Sequence, residues 1–403
     1  MKDATQKAKL YRHFSARGWY ALPEIPVFHK GGVYESRRLI TDIDVLALRP
    51  RAELDWELVL GDCKTLKEQS PANRAIWLRG LMDHFSATSG VIILRRKQPI
   101  EPDHKLFASS FRVTLLDEEE FGNYDRALVF PEGSSRFDDD LKEHQDLRRL
   151  PGRFPKLKPF CEYLFALAWN EGDLLNLLRR VIGEARSVAN EIDPQREEHH
   201  ALILEASGIF AIGLARSVGV IFNQFLQPKS AHELDEALKV LIWGGRSQYN
   251  FIAKLRNEMI ASKGKPSNGS ELALPEWERF LELVREMLES PALSFEVPQL
   301  LRRASASLIR RSRFLSSASK EDLLLLKYSM MTVRYLCRAG KLPPDAEREL
   351  TKLFVVRQSE LVHSPDNVTP SRSLEIGSSA NIRETEIKHV TEQIELPVEI
   401  TPK

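Results

Sequence analysis

A mixed α/β domain at the N-terminus followed by a large all-α region is the fold this sequence predicts. Three observations lead there. Thr41–Leu48 alternates polar and apolar residues before turning apolar, and Glu57–Gly61 is a short apolar run, so Leu39–Lys64 reads as two strands joined by a short loop. Gly90–Leu94 and Phe111–Leu116 are two more strand-length apolar runs, each preceded by a helical stretch. From Phe160 onward the periodicity is helical and no strand pattern recurs. The expected division is a sheet domain over 1–125, a connector over 126–158, a helical region over 159–363 and a disordered or extended tail over 364–403.

The elements follow in order. Leu10, Tyr11 and Phe14 recur at helical spacing in Ala4–Arg17, and Gly18 stops that helix. Tyr20–His29 is apolar but broken by Pro23 and Pro26, so it is an edge strand or a loop. Ser70-Pro71 starts a helix that runs through Ile76, Leu78, Met82 and Phe85. Asp103–Ser109 is a short helix, and Asp117 caps the helix after the last strand. Eight helices are expected beyond: Pro159–Trp169, Asp173–Glu191, Glu197–Leu226, Ala231–Ile260, Pro275–Leu288, Val297–Arg310, Lys320–Ala339 and Pro344–Leu361.

Size and composition set bounds. A chain of 403 residues, 42% hydrophobic and 29% charged, suits two domains of an ordinary soluble protein. Its net charge of +1 supplies no global attraction for nucleic acid, so any such site must be a local patch. Cys63, Cys161 and Cys337 are far apart, which fits a reducing cytoplasm and neither a zinc site nor a disulfide framework. The opening Met1-Lys2-Asp3-Ala4 is polar and no secretion signal. Ala201–Leu226 has the length of a membrane span but carries Glu205, Arg216, Asn223 and Gln224. It reads as a buried core helix, with no membrane partner.

Leu39–Lys64 carries the chemistry. Alternation puts Asp42 with Asp44 on one face and Asp62 with Lys64 on one face. If the two strands pair, Asp44, Asp62 and Lys64 can converge at one sheet edge. Two carboxylates and a lysine suit a hard divalent cation whose remaining positions take water and phosphate.

An aspartate, a strand-length gap and then Asp-x-Lys resembles the PD-(D/E)XK nucleases, the restriction-endonuclease-like fold, most nearly its Mrr-type and Holliday-junction-resolvase-type branches. Ile43-Asp44-Val45 matches the first half of the pattern and Gly61-Asp62-Cys63-Lys64 the second, over roughly the first 125 residues. The resemblance implies a magnesium- or manganese-dependent endodeoxyribonuclease. Asp44, Asp62 and the Cys63 backbone carbonyl would hold the metal, and Lys64 would orient or activate the attacking water. Resolvase-like members carry a glutamate on the first helix; Ala4–Arg17 has none, and Glu24 or Glu35 could take its place. Asp42 is a further acidic candidate, and Gln69 could touch phosphate or cap the next helix. Arg74, Arg95, Arg96 and Lys105 are the basic groups expected to meet DNA. By fold-level analogy such domains act in restriction or anti-phage defence. The alternative is a catalytically inactive subunit of the same fold that binds nucleic acid or serves as a scaffold.

The helical region is expected to hold a protein partner or a second copy of the chain. Trp243-Gly244-Gly245-Arg246 lacks a preceding strand and a GKS-type ending, so it reads as a kink or close packing and not a phosphate loop. Arg302-Arg303 with Arg310-Arg311-Arg313 could hold phosphates or pair with local glutamates. His199-His200 read as solvated histidines. In the tail, Lys388–Ile400 is a partly alternating run suited to adding a strand to a partner's sheet.

Overall fold

The computed structural model describes residues 3–28, 38–65, 70–96, 98–128, 141–228, 230–262, 272–312 and 321–362. Helix α1 (Ala4–Ser15) precedes strands β1 (Tyr20–Phe28), β2 (Leu39–Pro50) and β3 (Trp56–Thr65). Then come α2 (Pro71–Phe85), β4 (Ser89–Arg95), α3 (Pro102–Ser110), β5 (Val113–Asp117) and α4 (Glu118–Ala127). The strands lie in sequence order in one five-stranded sheet. β1, β2 and β3 pair antiparallel, and β3, β4 and β5 pair parallel. The connections explain this: the short β2–β3 loop can only return the chain antiparallel, while α2 and α3 are long enough to cross over. β1 lies at the sheet edge, which is where Pro23 and Pro26 are tolerated. Asp117 accepts from the Glu120 N–H while Glu120 reaches back to the Asp117 N–H, a capping box that starts α4.

The rest is helical: α5 (Leu141–Arg149), α6 (Lys158–Phe165), α7 (Asn176–Ser187), α8 (Glu197–Phe225), α9 (Ala231–Ile242), α10 (Arg246–Ser262), α11 (Trp277–Met287), α12 (Pro291–Ser294), α13 (Val297–Arg310), α14 (Glu321–Ala339) and α15 (Pro344–Val362). An N-terminal mixed sheet followed by an all-α region is therefore the observed architecture. One expected helix, Ala231–Ile260, is two: Gly244 and Gly245 adopt φ of +83° and +101°, and the left-handed turn they make separates α9 from α10. α5 lies inside the stretch expected to be a connector.

Two apolar clusters flank the sheet. The smaller joins Leu10, Tyr11 and Phe14 of α1 to Val45, Ala47, Val59, Cys63 and Ile93. The larger starts from Tyr20, Leu22, Leu46, Leu48, Leu60 and Ile92 on the other face, takes in Leu78 and Met82 of α2, and continues without interruption to Phe354 of α15. Residue 125 thus marks a change of secondary structure and not a gap in packing, and the chain up to Val362 forms one compact unit. The tail expected over 364–403 lies outside the described residues.

α8 seats the helices on the sheet. It is long and apolar enough to cross a membrane, but 94% of its most apolar window is buried by the protein itself. Its polar residues have partners: the Ser207 and Ser217 hydroxyls donate to the Ile203 and Gly213 carbonyls at 2.8 and 3.0 Å. Arg216 pairs with Asp55, and the Asn223 amide donates to the Glu53 carbonyl at 2.8 Å, both in the β2–β3 loop. The Trp56 indole N–H donates to the Ile212 carbonyl at 3.0 Å. Gly219 lies so close to this loop that a Cβ would fall 2.0 Å from the Leu54 carbonyl oxygen, so any side chain there would push the loop off the helix.

Candidate active site

The candidate residues meet where β2 and β3 part. The last register pair at this end is Val45 with Gly61; beyond it, Asp44 closes the gap with its side chain. The Asp44 Oδ2 accepts the Cys63 backbone N–H at 2.7 Å, which brings the Asp44 carboxylate beside the residue after Asp62. Asp44 is 7% exposed and Asp62 2%. Buried carboxylates need partners, and each has a cation of its own. The Lys7 ammonium of α1 lies 2.7 Å from Asp44 Oδ1 and 3.0 Å from Glu24 Oε1. The Arg74 guanidinium at the start of α2 clamps Asp62 in bidentate fashion, with Nε to Oδ2 at 2.6 Å and Nη2 to Oδ1. Its other face lies 3.6 Å above the Trp77 ring centroid.

The two acids lean toward different helices. Leu60 belongs to the larger cluster and Cys63 to the smaller, so alternation places Asp62 and Lys64 on the α2 side. Asp44 is held from the α1 side. The local backbone accounts for this: Ile43 and Leu46, three residues apart, both join the larger cluster, as do Leu22 and Ile25 on β1. Strict alternation therefore slips once on both strands at the same level. Glu24, at φ +54°, takes up the slip on β1. Asp44 and Asp62 are neighbours near Cys63, each held by its own cation. Among the described residues, no three acidic, histidine or cysteine side chains gather as a metal-binding group.

Burial dominates the electrostatics here. It pushes the Asp44 carboxyl above its ordinary range; the Asp62 charge adds to that, while Lys7 and the Cys63 N–H oppose it. Burial alone would weaken the Lys7 ammonium, yet the hydrogen bonds and charges of Asp44 and Glu24 outweigh it and hold the lysine firmly charged. Burial, with the Asp44 and Asp62 charges, pushes the thiol of the buried Cys63 far up, toward its neutral form.

Lys64 is exposed at the end of β3 and has no ion pair among the described residues. In register, Thr65 lies beside Arg95 at the end of β4. Arg95 is 70% exposed and reaches only to 4.0 Å from Glu118; Arg96 is half-buried. Lys105 is bonded to Glu120, and Arg74 is committed to Asp62, so neither is a free cation at the surface. Asp42 is exposed near the start of β2. Glu35 and Gln69 lie outside the described residues.

Three contributors went unrecognised or unranked in the sequence. Lys7 is one, although its position on the face of Tyr11 and Phe14 was a signal: a lysine on an apolar helix stripe needs a buried anion. Glu24 is a partner of Lys7. The third is Gln6, 2% exposed, whose amide oxygen and nitrogen both lack a hydrogen-bond partner. Its neighbours fix its place: Asp3 bonds Thr65, Lys7 bonds Asp44, and Leu10 packs on Gly61, so Gln6 lies over the Cys63 level of β3.

Arg302, Arg310 and Arg311 of the helical region have partners within the protein. Arg302 is buried, donates to His144 Nδ1 at 2.9 Å and lies 4.9 Å from the Tyr20 ring centroid. Arg310 pairs with Glu143 and Arg311 with Glu197; Arg313 lies outside the described residues. His199 and His200 are buried and not solvated, and His199 Nδ1 accepts the Asp193 N–H at 2.9 Å.

The site as it stands is two buried carboxylates on adjoining strands, each holding one of the protein's own cations. No protein-family model matches the chain, and no curated protein or solved structure matches it either.

Proposed function

We propose that this protein hydrolyses phosphodiester bonds of DNA at the β2–β3 edge, with Asp44, Asp62 and the Cys63 carbonyl holding magnesium or manganese. The observation that carries the reading is the Asp44–Cys63 hydrogen bond. It joins the acid of β2 to the Asp62-x-Lys64 segment of β3, where the parallel strands β3 and β4 end. In open sheets with parallel strands, ligands bind beyond the carboxyl ends of those strands. A bound divalent ion would offset charge on the reacting phosphate and acidify a water. Lys64, exposed and two residues past Asp62, presents its ammonium to a phosphate oxygen and to the water approaching it. Arg95, one strand over, takes the neighbouring phosphate.

The same reading gives the helical region a protein partner or a second copy of the chain. An exposed stripe of Phe251, Leu255 and Met259 on α10 supports this. A place in restriction or anti-phage defence remains an analogy of fold.

The test is cleavage of plasmid, linear duplex and RNA by the purified chain, with and without magnesium. Metal-dependent DNA cleavage that is lost in Asp62→Asn and Lys64→Ala is the expected result. Undiminished cleavage by both variants overturns the assignment. A second reading is favoured by the pairing of Asp44 with Lys7 and of Asp62 with Arg74: a non-catalytic subunit whose acids are permanently neutralised. DNA binding without cleavage under every metal condition is its signature.

A further inference from the structure

We infer that Lys7 and Arg74 are internal counter-ions that close the acidic pair at rest, and that a divalent cation enters only by displacing them. This rests on the proposed metal-dependent reading and adds a regulatory step to it.

Charge and direction carry the argument. Asp44 and Asp62 are neighbours, yet Lys7 draws one carboxylate toward α1 and Arg74 the other toward α2. An ion shared by both acids competes with Lys7 for the Asp44 oxygen and with Arg74 for both Asp62 oxygens, which those cations already hold. Each released cation has somewhere to go. Lys7 keeps Glu24 at 3.0 Å, and Arg74 keeps its stacking on Trp77 while its guanidinium turns toward the edge where phosphate arrives. Binding of the metal and release of Arg74 toward an anion are thus two sides of one exchange.

Gln6 is the independent sign that something is missing at rest. A buried amide with neither atom bonded is costly to a fold, and such groups are rare in folded proteins. Set over the Cys63 level, it is placed to meet the water shell of an ion held between the acids. With the cations in place, neither amide atom of Gln6 has a partner among the described residues.

The experiment reads metal affinity and not activity. Manganese binding to the full chain without DNA is measured by electron paramagnetic resonance for the parent, Arg74→Gln, Lys7→Gln and Asp62→Asn. Circular dichroism and thermal melts confirm that each variant is folded. Removing one charge-assisted competitor should tighten manganese binding about ten- to a hundredfold in Arg74→Gln and Lys7→Gln. Asp62→Asn should bind no manganese. A measurement on the unaltered protein avoids any folding defect: the Arg74 Nε–H resonance should shift on titration with magnesium and stay fixed with an equal concentration of sodium. If the parent binds manganese and loses it in Asp62→Asn, but the Gln variants bind no more tightly and the Arg74 resonance stays fixed, the counter-ion exchange is wrong and the metal-dependent reading stands. If no protein in the series binds manganese, both fall.

Discussion

Two of the buried charge clusters among the described residues are built differently. At the β2–β3 edge, Asp44 and Asp62 each have a private cation, and the exposed Lys64 stands beside them. Between the sheet and the helices, Arg302, His144, Tyr20 and Glu205 form a sealed cluster from α13, α5, β1 and α8. Breaking a buried ionic network by removing one member leaves a charge stranded, which is costly wherever it happens. Of the two, only the first lies at a strand end, with the exposed Lys64 two residues past Asp62. The sealed cluster welds elements together; the edge cluster has the means to exchange its partners.

The largest expected effect separates chemistry from stability at the edge. Lys64→Ala removes an exposed ammonium, so melting should be unchanged while magnesium-dependent cleavage falls by about 10²–10⁴-fold, the range for losing a positioned proton-transfer or charge-stabilising group. A melt lowered along with the rate would make Lys64 part of the fold and erase the contrast.

The sealed cluster should answer in the opposite way. Arg302→Ala strands its polar partners in the core and should cost about 3–5 kcal/mol in urea unfolding. A loss below 1 kcal/mol would show that the cluster is no weld.

Acid sharpens the contrast further. Burial, with Arg302 and Arg148 close by, holds His144 well below the ordinary histidine range. The unfolded chain therefore takes up that proton first, and folding free energy is lost as pH falls below about 6.5, by about 1.4 kcal/mol per pH unit for one such group. His13, His199 and His200 are shifted downward too, each chiefly by burial. His144→Gln keeps an acceptor for Arg302 and should flatten the pH dependence between about 6.5 and 5 by one proton. An unchanged slope in urea titrations across that window would place the proton uptake elsewhere.

Asp44 has the opposite sign. Its folded pKa is raised chiefly by burial, so its charge costs stability near neutrality, and that cost disappears as acid protonates it. The smallest effect expected is on binding. Arg95→Ala with Arg96→Ala should flatten log K against log salt by up to about two units on duplex DNA, at about 0.9 per phosphate contact. No change in slope would return Arg95 to its neighbour Glu118 and remove it from the phosphate track.

Much of this was legible in the sequence because it depends on near neighbours. Alternation on β2 and β3, the crossover helices and the Asp117 cap are all local patterns. The strand pair and the shared face of Asp62 and Lys64 follow from them. What escaped depends on distant residues. That Asp44 turns to Lys7 required the pleat slip at Glu24, a feature of the β1–β2 pairing. That Asp62 is clamped by Arg74 required knowing how α2 crosses the sheet. Arg74 looked like a phosphate ligand because guanidinium suits phosphate and carboxylate equally. His199 and His200, polar at a helix start, looked solvated because nothing nearby announces Phe154, which packs on His199.

The seat that α8 gives the β2–β3 loop bears on how the protein is made. Leu54 is synthesised long before Gly219, by roughly ten to thirty seconds at about 5–20 residues per second. Throughout that interval the loop has no α8 to rest on, and the larger apolar face of the sheet is covered by α2 but not yet by α8. We expect ribosome-stalled chains ending at Leu128 to be cut readily by protease within β2 and β3, and chains stalled well past Phe225 to resist. Equal resistance at both lengths would mean that the sheet matures alone. Otherwise the edge where Asp44 and Asp62 meet is a late product of synthesis, although both aspartates are made well before α8.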